Sequence, residues 1–165
     1  YSYFFPNLFY NMGMTSIKEF INFYGLAFML VIMIPNIIFA VKNKDGFENL
    51  WKNKFVELFE QIGRFCCFAF MVVIIPGMGF CFYSKPEFIL YLIIDTVLLT
   101  AYVLIWILYF KTNSVFKSLA LSIIPSVIFL ASGILTRYIP LISSAVIFAP
   151  CHILISYKNA EKFLT

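Results

Sequence analysis

Five stretches of nineteen or more residues, holding one Asp and no Glu, Lys or Arg between them, constrain this chain more than any other feature. They are 20–41, 65–83, 88–110, 118–136 and 138–157. About 20 apolar residues in a helix cross the roughly 30 Å hydrocarbon core of a bilayer, so each stretch reads as a spanning helix. Composition argues against water as the solvent: 62% of the 165 residues are hydrophobic and 12% are charged, against roughly 25% charged in a soluble domain. A chain this short buries only about 70% of its surface on folding, which would leave much of that hydrophobicity wet. The expected fold class is an all-α integral membrane protein with five transmembrane helices plus one cytoplasmic amphipathic interfacial helix.

The connections are short. Residues 84–87, SKPE, form a tight turn in which Pro86 opens the next helix, where its missing N–H costs nothing. A tighter turn at Arg137 folds the last two spans into an antiparallel hairpin, in which Ala131, Ser132, Gly133, Ser143, Ser144 and Ala145 allow close backbone approach. Positive loops stay in the cytoplasm. Lys42, Lys44, Lys52, Lys54, Arg64, Lys111, Lys117, Lys158 and Lys162 fall on one side, against Lys18, Lys85 and Arg137 on the other. This tally predicts an external N-terminus and a cytoplasmic C-terminus, with 158–165 a cytoplasmic tail. Residues 1–19 are expected to be a poorly ordered external segment. Within it, 1–13 precede MTSIKEFINF and read as a fragment end, a processed tail or translated upstream sequence. The first span is too long for a signal peptide and lacks a small-residue cleavage site after it.

Between the first two spans, Phe47, Leu50, Trp51, Phe55, Leu58 and Ile62 share one helical face. They predict an interfacial helix over 47–62 lying in the membrane plane, with Gly63 as the bend into the second span. Glu57, Glu60 and Arg64 share a side at that crossing and read as a helix-entry clamp, with a substrate or ion gate as the functional alternative. Asp95, about 10 Å into the third span, is the one acid inside an apolar run. Such a residue faces the bundle interior and needs a partner. Arg137 is the arginine expected to reach it, forming an intramembrane polar pair; a proton or cation site at Asp95 is the alternative.

A second polar layer is expected nearer the cytoplasm. Asn36 and His152 lie about 24 and 21 Å down spans one and five, which run in the same direction, so they match the depth of Glu57, Glu60 and Arg64. Each follows a proline, Pro35 and Pro150, that kinks its helix. Kinked helices at matching depths are a pointer to transporter sites. Cys66, Cys67, Cys81 and Cys151 have no metal-site spacing and read as buried free thiols. No cofactor motif and no catalytic motif occurs. The net charge of +4 is scattered, without the basic tract of a nucleic-acid binder. The expected partners are the lipid bilayer and further helices, of a second copy or of another membrane protein.

The stretch YGLAFMLVIMIPNIIFAVKNKDGFENLW, the run NKFVELFEQIGRF and the ending FAPCHILISYKN together resemble a group of short multi-pass bacterial membrane proteins without assigned activity. The resemblance covers nearly all of 14–160. It implies a five-span protein of the bacterial cell membrane and carries no functional residue across. Three functions are compatible with the residues. The first is a structural or regulatory membrane subunit acting through helix contacts. The second is a small oligomeric transporter or proton-coupled carrier using Asp95 or His152. The third is a lipid-modifying enzyme built on the cytoplasmic-side layer.

Overall fold

The computed structural model describes residues 20–43, 49–112 and 114–162. Five helices follow one another: α1 (Phe23–Lys42), α2 (Lys54–Val72), α3 (Lys85–Leu108), α4 (Val115–Leu135) and α5 (Ile139–Lys162). No strand occurs among the described residues; one isolated bridge joins Ile21 to Val73. Four of the helices, α1, α3, α4 and α5, are long and apolar enough to cross a membrane. Val41, Phe65, Val97, Ile107 and Ile139 are each more than 60% exposed. Exposed apolar surface on this scale requires an apolar surrounding, so the fold is that of a helical membrane protein.

The helices start where short polar side chains capture free backbone amides. Asn22 accepts from Gly25 N, Asn53 from Val56 N, Ser84 from Glu87 N and Ser114 from Lys117 N. Successive helices alternate in direction, which gives the bundle two ends. At the Arg137 end, Asn22 N donates to Val72 O at 2.8 Å and Ile74 N to Phe20 O at 2.8 Å, so the start of α1 is tied to the end of α2. At the Lys117 end, Lys162 Nζ donates to Leu50 O and Asn159 accepts from Trp51 N, so the end of α5 meets the segment before α2.

The expected interfacial helix at 47–62 and second span at 65–83 are instead parts of one helix, Lys54–Val72, followed by a non-helical segment at 73–83. The helix begins late because Asn53 caps it and Glu57 Oε1 reaches back to Asn53 N at 3.0 Å. It ends early because β-branched residues run into Pro76, whose ring disfavours a helical residue before it. Gly63 does not bend the helix. Its missing side chain admits α5, since a Cβ there would lie 2.9 Å from Phe148 Cα. The expected tail from 158 is helical to Lys162, with Ala160 buried and Lys158 paired to Glu161 at 2.9 Å. The expected external segment 1–19, the start of the interfacial helix at 47–48 and residues 163–165 lie outside the described residues.

The turn between α4 and α5 takes three residues. Tyr138 N donates to Gly133 O at 2.9 Å and Arg137 N to Ile134 O at 3.1 Å, a Schellman closure with Arg137 left-handed at φ 56°. Gly133 packs against Ile142, where a Cβ would stand 2.9 Å from Cγ1. The segment 73–83 then folds across this end: Cys81 N donates to Thr136 O and Ile139 N to Met78 O. Gly79, at φ 100°, permits the fit, because a Cβ there would meet Arg137 O at 2.5 Å.

Candidate functional site

The Arg137 end is closed. Tyr91, Tyr138, Met71, Ile128 and Phe129 are fully buried. Phe80 and Phe82 cover them, Phe80 edge-on 5.8 Å from the Tyr138 ring and Phe82 tilted 5.4 Å from the Tyr91 ring. The Tyr138 hydroxyl accepts from Ile75 N at 2.9 Å and donates to Val73 O at 3.0 Å, pinning the covering segment. Asn22 Nδ2 donates to Met71 O at 3.2 Å and to the Tyr91 hydroxyl at 3.3 Å.

Asp95 sits beneath this cover, fully buried, and its expected pair with Arg137 is not formed. Ser132 Oγ donates to Asp95 Oδ2 at 2.5 Å, while Oδ1 has no hydrogen-bond partner among the described residues. Arg137 instead grips Glu87 with two bonds, Nη1 to Oε2 at 3.0 Å and Nη2 to Oε1 at 2.8 Å, and stacks 3.9 Å above the Tyr83 ring. The reason is depth. Glu87 lies on the same side of α3 as Asp95 but eight residues earlier, roughly 12 Å nearer the end of the helix. Pairing there costs the guanidinium little desolvation, whereas pairing at Asp95 would bury it. The bond from Glu87 raises the Arg137 pKa further above its ordinary value.

The Lys117 end is open. A cavity of about 1030 Å³ enters the bundle there, lined by residues of all five helices, among them Asn36, Glu57, Glu60, Arg64, Tyr102, Ser122 and His152. Asn36, Glu60, Arg64 and His152 lie in its walls together. Glu60, 3% exposed, is the centre. Its Oε1 accepts from Arg64 Nε at 3.0 Å, from Arg64 Nη2 and from His152 Nδ1 at 2.8 Å. The imidazole is stacked on Phe148, with ring centroids 4.6 Å apart and planes 21° apart. A carboxylate only accepts, so in this contact Nδ1 carries the hydrogen. Asn36 Nδ2 donates to Ile32 O at 2.9 Å and to the Tyr102 hydroxyl at 2.8 Å, tying α1 to α3 at a similar depth. Glu57 stands apart from this group, occupied by Asn49 Nδ2 and Asn53 N at the start of α2.

Helix spacing on α2 brings Glu60 and Arg64 together; tertiary packing adds His152. Gly63 is what permits it, because α2 and α5 approach closely at Phe148, one turn before His152. Lys117 is a functional-looking residue that sequence reasoning passed over. It is 5% exposed, donates from Nζ to Phe110 O at 3.3 Å and Thr112 O at 3.2 Å, and lies over the Phe39 and Trp106 rings. It closes the free carbonyls after α3. Only its place among the basic residues of one side marked it. Nothing in the sequence marks Tyr102 as the partner of Asn36, and Ser132, partner of Asp95, reads there only as a small packing residue. No protein-family model matches this chain, and neither a curated protein nor a solved structure is detectably similar to it.

Proposed function

We propose that this chain is a small proton-coupled carrier of the bacterial plasma membrane, crossing it five times with the N-terminus outside and the C-terminus in the cytoplasm. With Arg64 inside α2, the remaining Lys and Arg still divide unevenly, eight against three, which supports the orientation. In this reading α2 is the fifth crossing. It presents Glu60 and Arg64 to the cavity, while Phe55, Leu58 and Phe65 on its other face are each more than half exposed and meet lipid. The interfacial helix expected from the sequence is then the cytoplasmic half of a spanning helix.

The observation that carries the proposal is the Glu60–His152 contact in the wall of an open cavity. A subunit acting only through helix contacts has no use for such a space, and a lipid-modifying enzyme needs a further reacting group beside the imidazole. The chemistry follows from charge. With His152 neutral, Glu60 is balanced by Arg64. Uptake of a proton at Nε2 leaves two cations on one carboxylate, a net positive charge that a solute anion in the cavity offsets. Proton and anion thus bind together. The cavity opens at the Lys117 end and is closed at the Arg137 end, an inward-open arrangement.

The test is reconstitution in proteoliposomes with a pH-sensitive dye inside, driven by gradients of lactate, succinate or inorganic phosphate. Wild type is expected to acidify the lumen with at least one of these anions, and His152→Gln to abolish the signal while folding normally. Proton movement that persists in His152→Gln, or that fails with every anion, would sink the proposal.

A further inference from the structure

We propose that a groove between α1 and α3 is a binding site for one acyl chain of an anionic phospholipid, with Lys42 holding its phosphate. The groove has a volume of about 430 Å³ and is walled by apolar side chains, Val31, Ile34 and Ile38 from one helix and Val103 and Ile107 from the other. Lys42 is the one charged residue that lines it, and it stands at the end of α1.

Three observations fit a lipid rather than a bare helix surface. The size falls in the range of small-molecule sites, roughly 300–1,000 Å³. From Val31 to Lys42 is about 16 Å of helix, close to half the roughly 30 Å hydrocarbon core, so the groove runs the depth of one leaflet and ends at its polar edge. Lys42 Nζ lies 5.5 Å from the ring of Phe110, another wall residue, which keeps the ammonium beside the groove. A single cation with no acid among the lining residues matches a net-negative headgroup and leaves the ammonium of a zwitterionic one unmatched. Pro35 contributes its ring to the wall, and a proline inside a helix kinks it. The groove is separate from the cavity on Glu60, from which the Trp106 and Phe110 side chains divide it, so the inference stands or falls independently of carrier activity.

The test is native mass spectrometry of the purified full chain in detergent, titrated with phosphatidylglycerol and with phosphatidylcholine of the same acyl chains. Wild type is expected to retain one phosphatidylglycerol with roughly fivefold preference, the scale set by one lysine near an anionic surface. Lys42→Gln is expected to bind both lipids equally. Val103→Trp fills the groove and is expected to lose the retained lipid of either kind; should it fail to fold, Ile107→Trp, at an exposed position, fills it from the same wall. Three results would overturn the proposal: equal retention of both lipids by wild type, a preference that survives Lys42→Gln, or a dimer that separates on filling the groove, which would make the occupant a second copy.

Discussion

At the Arg137 end of the bundle, Asp95 is sealed beneath Tyr91, Tyr138 and an aromatic cover; at the Lys117 end, the same helices part around about 1030 Å³ of space with Glu60 in its wall. Both ends hold one carboxylate deep in the fold, but they treat it oppositely. Asp95 receives one bond, from a serine hydroxyl. Glu60 receives three, from a guanidinium and an imidazole. Asp95 has only a hydroxyl beside it, whereas Glu60 has a guanidinium and an imidazole within hydrogen-bond distance in the wall of a cavity. The contrast teaches that buried polarity is built in two ways in this protein: locked beneath a cover at the closed end, and paired in the wall of a cavity at the open one.

The heaviest blow to the closed end is Gly25→Ala. The new Cβ would lie 2.0 Å from Met71 O, a backbone atom that cannot swing aside. Overpacking of this kind costs about 3 kcal/mol or more, and the thermal midpoint in detergent should fall accordingly. An unchanged midpoint would show that α1 is not clamped there. Glu60→Gln strikes the open end. It removes the charge that Arg64 and His152 share, and hydrogen bonds to charged groups contribute about 1.5–3 kcal/mol. Because Arg64 remains partly in solvent, the loss should sit at the low end of that range, while proton-coupled uptake disappears.

Tyr138→Phe should cost about 1–2 kcal/mol, because the fully buried Tyr138 side chain loses two hydrogen bonds, from Ile75 N and to Val73 O. It should leave uptake from the Lys117 side intact at temperatures where the protein is folded, which separates locking from exchange. Accessibility draws the same line without energies. In a background with the four cysteines replaced, Ser118→Cys and Ser156→Cys in the cavity should react with a membrane-impermeant maleimide from one side of the membrane. Ser132→Cys, bonded to Asp95, should react from neither. Labelling of Ser132→Cys would show that the closed end is wet. The smallest effect is expected at Arg137. Replacement by Gly loses the Glu87 pair but relieves the left-handed backbone, so it should be milder than Arg137→Ala by about 1 kcal/mol in thermal unfolding.

Much of the helical layout was legible in the sequence, because a helix in lipid is specified locally: a run of apolar residues, a polar cap and a breaker. The capping residues Ser84 and Ser114 and the turn at Arg137 sit where the composition changes. The failure at 47–83 is instructive. The apolar stripe from Phe47 to Ile62 and the run from Phe65 to Tyr83 suggested a break at Gly63, yet that glycine is where α5 is nearest and the helix continues. A glycine carries the same sequence signal whether it bends a helix or admits a neighbour. The Asp95–Arg137 expectation failed for a related reason. Charge sign and end of the bundle suggested the pair, but the local turn chemistry of SKPE put Glu87 closer.

What the residues determined by themselves was the solvent of this chain and the existence of its long helices, since hydrophobicity adds up residue by residue and needs no knowledge of neighbours. Tertiary structure alone decided which polar groups meet. Glu60 and His152 are 92 positions apart and touch only because α2 and α5 pack at one register and one rotation; a shift of one residue on either helix, about 100° of turn, would point them away from each other.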